Sequence, residues 1–326
     1  MDDARPISRS SQVKTRLRHG WLTHSRAVAL MVLVALMWST AGVVTRHLDA
    51  ARSFEVTFWR SLFSGLGVVV ALLLMQGRAL WGLLRDGRWA LWACGLCWAV
   101  MFTNFMLALT LTTVAMVLVT LAIAPLLTAL FARLFLHHRL PGRTWGAIAV
   151  AGAGIAWMFG RQAMAGGSSM TGALVALGVP FAGATHWTLL QHLHQRHARD
   201  PSVAEPQMLP AVLIGALLSV AVTAPLAWPF AASAHDMGLL FGLGVFQLAL
   251  PCLLSVVLTK VLAAAEISLL ALLEVVFGVA LAWVGAGEVP GANTLCGGAL
   301  VIGALLVNEA LAMRERRRVS PVAARQ

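Results

Sequence analysis

The chain has 326 residues, 59% of them hydrophobic and only 11% charged, with a mean hydropathy of +0.81. Soluble domains carry about a quarter charged residues. Here the apolar residues fall in long runs, which excludes a water-soluble core and indicates a polytopic membrane protein. The net charge of +11 does not form a basic domain. Lys and Arg collect in the tails and alternate loops, so no nucleic-acid partner is implied.

Residues 1–26 form a basic tail with Arg5, Arg9, Lys14, Arg16, Arg18 and Arg26. The apolar run that follows lacks a small-residue cleavage site and reads as a first span, not a cleaved signal. Ten segments of about 16–25 residues suit a bilayer crossing: 27–48, 55–76, 88–109, 112–135, 143–160, 171–192, 207–229, 237–260, 263–285 and 291–312. The expected fold is all-α with ten transmembrane helices. Only the hydroxyl-rich "LTLTTV" from Leu109 to Val114 separates the third and fourth, and the fifth is Gly/Ala-rich. The loop "QHLHQRHARD" after the sixth carries His192, His194 and His197. Lys260 and Glu266 flank the next-to-last turn and are expected to pair there. A second basic tail occupies 313–326.

With the N-terminus in the cytoplasm and ten crossings, only Arg46, Arg52, Arg60 and Arg161 of the 24 Lys and Arg fall on the far side. That bias supports ten spans with both termini cytoplasmic, as expected in a bacterial inner membrane. Among the 12 Trp, Trp21, Trp81, Trp89, Trp145 and Trp228 lie near span ends as interfacial anchors. Trp38 and Trp187 fall inside spans. Cys94, Cys97, Cys252 and Cys296 all lie in apolar runs. The Cys94-x-x-Cys97 pair reads as two small residues one turn apart, without the context of a redox motif or a disulfide framework.

"APLLTALFARLFLHHRLPGRTWGAIAVAGAGIAWMF" from Ala124 and "LEVVFGVALAWVGAGEVPGANTLCGGALVIGALLVN" from Leu273 share a plan: apolar helix, Pro-Gly loop, small-residue helix. Pro141-Gly142 and Pro290-Gly291 are 149 positions apart. A five-span unit repeated once gives halves of opposite orientation, because five is odd. The expected domains are 27–160 and 171–312, two inverted five-helix repeats with a midplane site between them.

"MWSTAGVVTRHL" with "FWRSLFSGLGV", and the run from Leu243 that includes Leu-Leu-Glu at 272–274, Gly-Glu-x-Pro at 287–290 and Gly-Gly at 297–298, resemble the drug/metabolite transporter superfamily, EamA type. The resemblance covers nearly the whole chain outside the tails. It implies inverted repeats around a central cavity and transport, often outward, of small organic metabolites, amino acids among them. Two departures stand out. Val275 follows Glu274 where the family usually has proline. The first-half loop reads His137-His138-Arg139 where Gly-Glu-Arg is common.

Glu274 is the leading functional candidate. It falls about ten residues into the ninth span, so about 15 Å deep, where a carboxylate faces a cavity or a partner rather than lipid. It would bind a proton or a substrate amine; the plainer alternative is a hydrogen-bonded structural glutamate. Gln247 is at similar depth, one turn before Pro251, and would line a cavity or bond a neighbouring helix. Trp38 and Ser39 fall mid-span, and Asn104 in the outer half of the third. Arg60 would bind a carboxylate or extend to the interface. His186 would relay protons or serve in packing.

These features point to a secondary transporter, acting by alternating access on a small molecule such as an amino acid, with protons as a possible coupling partner. No G-x-x-x-x-G-K-[ST] loop supports ATP drive, and no H-E-x-x-H or G-x-S-x-G supports an enzyme. No cofactor is implied, and nothing in the chain signals an oligomeric state. The alternatives are a passive channel or a metal-cation carrier using the three loop histidines.

Overall fold

The computed structural model describes residues 23–77, 79–85, 89–136, 141–165, 169–200, 208–258, 261–262, 267 and 270–323. Trp21, most of the basic N-terminal tail, His137 to Arg139, Lys260 and Glu266 lie outside them, so the expected Lys260–Glu266 pairing does too. Among the described residues the regular structure is entirely helical.

Helix α1 is His24–Thr45, α2 Ser53–Gln76, α3 Ala79–Arg85 and α4 Trp89–Leu111. Then come α5 Val114–Leu121, α6 Ala124–Leu136, α7 Gly142–Ala165 and α8 Ser169–Arg199. Helix α9 is Leu209–Ala227, and α10, Ala234–Gly242, continues through a π-helical turn, Leu243–Ala249, into α11, Leu250–Leu258. Helices α12, Leu273–Ala286, and α13, Ala292–Ala323, complete the chain. Seven described helical stretches are long and apolar enough to cross a membrane; Leu273–Ala286 and Ala292–Asn308 are shorter apolar helices. The protein is therefore polytopic and all-helical. The histidine segment 192–197 is not a loop, because α8 continues to Arg199. Arg196 and Arg199 fall in its last turn, where cations suit the helix dipole.

Two helices break where a continuous span would be expected. Between α5 and α6 the chain turns at Ala122 and Ile123, and α12 begins after a turn at Leu272. Pro125, in the first turn of α6, supplies no N–H and suits a helix start. Val275 stands where proline is usual, yet the break at Leu272 is present; the Val275 amide donates to the Leu272 carbonyl at 3.1 Å. The third irregularity surrounds Gln247. Pro251 offers no N–H to the Gln247 carbonyl, and the preceding turn widens to π geometry, with Leu250 N–H donating to Val245 O.

Lipid tails give helices no hydrophobic drive to associate, so packing rests on small residues and interhelical hydrogen bonds. Helix α4 lies on α9 with no space for a side chain at either glycine. A Cβ on Gly95 would meet Ile214, and one on Gly215 would meet Trp98 and the Gly95 carbonyl, 3.1 Å away. Gly244 brings the π turn onto α2 in the same manner, facing Phe63 and the Arg60 carbonyl at 2.8 Å. Nearby, Ser219 of α9 joins Ser61 of α2 and Thr103 of α4, each at 2.9 Å.

The pairings recur. Helix α2 packs on α9, α7 on α13 and α5 on α12; α4 meets α8 and α9, as the α10–α11 stretch meets α1 and α2. Gly95 and Gly244 are 149 positions apart, as are Trp38-Ser39 and Trp187-Thr188, and the half-helix starts Ala124 and Leu273.

One end of the bundle is tied by three carboxylates that accept from backbone N–H groups. Asp236 is fully buried. It accepts from the amides of Asp49 at 2.8 Å, Ala50 and Ala51 at 3.0 Å and Ser233 at 3.1 Å. Glu55 accepts from the amides of Ala231 and Ala232. Glu288 accepts from Val114 N–H and pairs with Arg46 Nε at 2.9 Å. Arg46 also donates to the carbonyls of Leu109 and Thr112. Asp236→Ala is expected to strand four amides and cost about 3 kcal/mol; a clear fall in the Tm of the detergent-purified protein, read by intrinsic fluorescence, checks it.

Candidate functional site

The polar centre of the bundle forms where α1, α2 and the π turn meet. Arg60, on α2, is 1% exposed. Its Nε and Nη2 both donate to Gln247 Oε1, at 3.1 and 2.9 Å. Gln247 Nε2 donates in turn to the Trp38 carbonyl at 3.1 Å. One amide thus links three helices, and Gln247 reaches both partners from the widened turn. The Arg60 guanidinium lies 5.7 Å from the Phe105 ring centroid of α4, a cation–π distance. Its Nη1 is buried without a partner.

Glu274 is half-buried in the first turn of α12. It interacts electrostatically with Arg60. Helix N-termini favour anions, so the α12 dipole supports a charge at this position. One turn on, Gly278 allows α12 to approach the Ser39 carbonyl of α1 and Leu118 of α5. The centre therefore holds a buried cation and a carboxylate, with Gln247 setting the direction of the guanidinium. The site can engage a ligand that carries both charges, or it can exchange a proton at Glu274.

The other sequence candidates divide. Trp38 joins the centre through its carbonyl. Ser39 is buried, and its hydroxyl donates to Leu36 O within its own helix at 2.6 Å, so it contributes a backbone surface to α12. Asn104 ties α4 to α8 by donating to Val175 O at 3.2 Å, tight against Gly178. His186 is 1% exposed. Its ring packs on Trp98 and Trp187, with centroids 5.3 and 5.1 Å away, on the α4–α8 side of the bundle.

Three residues of consequence escape the sequence reading. Phe105 faces Arg60, and nothing distinguishes it among the 13 phenylalanines. Arg46 and Glu288 tie one end of the bundle, whereas Glu288 stands in the sequence only as part of a motif. The Gly-Glu-x-Pro element at 287–290 was the available signal. Among the described residues, no group of three or more His, Cys, Asp or Glu is disposed to hold a metal ion.

Comparison with known proteins bears on the fold and the family. A solved crystal structure superposes with a TM-score of 0.59 at 20% identity, covering 90% of this chain and 100% of its own. That likeness concerns the fold alone. No curated protein matches the chain by sequence. Residues 25–160 match the EamA-like transporter family. The first half of the chain is thus similar to EamA-like transporters, and together with the bundle of apolar helices this supports a multi-pass membrane transporter of the drug/metabolite type.

Proposed function

We propose that the protein is a secondary transporter, working as an exporter, of a small zwitterionic metabolite of the amino-acid class. The observation that carries this reading is that a buried arginine, Arg60, and a half-buried carboxylate, Glu274, lie within electrostatic reach of one another at the polar centre of the bundle. A substrate carboxylate would meet the unpartnered Nη1 of Arg60, and its ammonium would meet Glu274. Charged groups at this depth in a bundle mark substrate or proton paths more often than packing. Between substrates, Glu274 would take up a proton, which couples the cycle to the proton gradient.

Alternating access would arise from two inverted five-helix repeats in a ten-span chain. The recurrent helix pairings and the 149-residue correspondences support that plan. So does a break at the same repeat position, before Ala124 and before Leu273, since discontinuous helices commonly carry the site in such folds. On the positive-inside count, the end held by Arg46 and Glu288 is the outer face. These contacts would hold that end closed in this conformation. Opening outward would separate Glu288 from Arg46 and from the Val114 amide.

Three outcomes test these assignments. In proteoliposomes loaded with unlabelled amino acids, the wild type is expected to accumulate labelled substrate by counterflow, and Glu274→Gln to lose proton-driven transport while remaining folded. Wild-type, pH-dependent transport in that variant refutes the coupling role. Arg60→Lys keeps the charge but not the planar fork that grips Gln247, and transport is expected to fall at least about 10-fold, as for the loss of about 1.4 kcal/mol. Glu288→Gln is expected to weaken the outer closure, and thiol-reactive probes applied from outside should then label a cysteine placed at Val114 faster than in the parent.

A further inference from the structure

Helices α7 and α13 meet closely at Gly154, where an added Cβ would lie 2.9 Å from the Gly297 carbonyl. Toward the start of α7 a groove of about 420 Å³ opens between them. Its walls are apolar, formed by Val150, Leu300, Val307 and their neighbours, and its polar lining comes from Arg143 and Asn308. Two glycines keep it open: a Cβ on Gly146 or Gly303 would have no neighbour within 4 Å. Asn308 is held at the floor by Thr144, whose hydroxyl donates to it at 3.0 Å.

The depth of this groove can be read from its neighbours. Trp145, beside Arg143, is 48% exposed, as expected of a ring at headgroup level. Leu300 and Val307 are exposed apolar side chains, so this wall meets lipid tails. Beyond Asn308, α13 leaves the apolar stretch and continues to Ala323, carrying Arg314, Arg316, Arg317 and Arg318 in sequence. An apolar channel with a cation at its interfacial mouth, and a basic helix extension beyond it, complements a molecule with an acyl chain and a negatively charged head. Basic pockets between membrane helices suit acidic phospholipid headgroups.

We propose that the α7–α13 groove binds an anionic phospholipid, with one acyl chain along Gly146 and Gly303 and the headgroup phosphate at Arg143. The site is separate from the Arg60–Glu274 centre and independent of the transport reading.

The test is competition between phosphatidylglycerol and phosphatidylcholine of identical chains, read as the lipid retained on the purified full-length protein by native mass spectrometry. The wild type is expected to retain phosphatidylglycerol about five-fold over phosphatidylcholine, the ratio for one basic contact of about 1 kcal/mol. Arg143→Gln is expected to abolish the preference while leaving acyl-chain retention. Gly303→Leu, which fills open space and leaves the packing intact, is expected to reduce retention of both lipids. Equal retention of the two lipids by the wild type overturns the proposal without recourse to any variant. So does an undiminished preference in Arg143→Gln, or undiminished retention in folded Gly303→Leu.

Discussion

A backbone N–H without a partner has no water to turn to inside a bilayer, and that constraint organises this protein. Helices satisfy most such groups internally. The remainder arise where helices start, stop or break, and there the chain supplies side chains. Asp236 takes four amides, Glu55 takes two, and Glu288 takes the first amide of α5. Carboxylates are thus concentrated where chain ends need acceptors. With one end secured in this way, the helices can be irregular at the centre without loosening the bundle.

The central irregularities are what bring polar groups together. Pro251 and the π turn before it direct Gln247 toward both Arg60 and the Trp38 carbonyl. The turn at Leu272 places Glu274 at a helix start rather than in mid-helix. A continuous α-helix at either position would point these side chains elsewhere, because each residue of extra or missing winding rotates a side chain by about 100°. Glycines then set how closely the elements approach. Gly244 holds the π turn against α2, and Gly278 holds α12 against α1 and α5. Polar chemistry and small-residue packing are therefore adjacent in space and interdependent.

Much of the helical layout was legible in the sequence. Seven described helical stretches are long and apolar enough to cross a membrane, and each overlaps one of the apolar segments, because hydropathy over about 20 residues reports directly on a lipid environment. The two broken helices were not legible. Leu272 lies within an unbroken apolar run, and the proline that would have marked the break is replaced by Val275. The histidine stretch after the sixth segment read as loop because it is polar, but hydropathy separates lipid from water, not helix from coil. Of the residues at the polar centre, Glu274 and Gln247 were visible as polar groups at mid-span. Asn104 and His186 carried the same signal, yet one is a helix tie and the other packs among tryptophans.

By itself the sequence determined the solvent of the chain, the approximate limits of its helices, and the family its motifs resemble. These follow from local composition, which needs no partner to take effect. Only the tertiary structure decided that Arg60 turns inward to Gln247, that Glu274 lies near it, and that Arg46 and Glu288 tie one end. Arg60 and Gln247 are 187 positions apart and Arg46 and Glu288 242. Their geometry depends on how helices cross, which is set by glycine contacts and local changes of winding that hydropathy does not register.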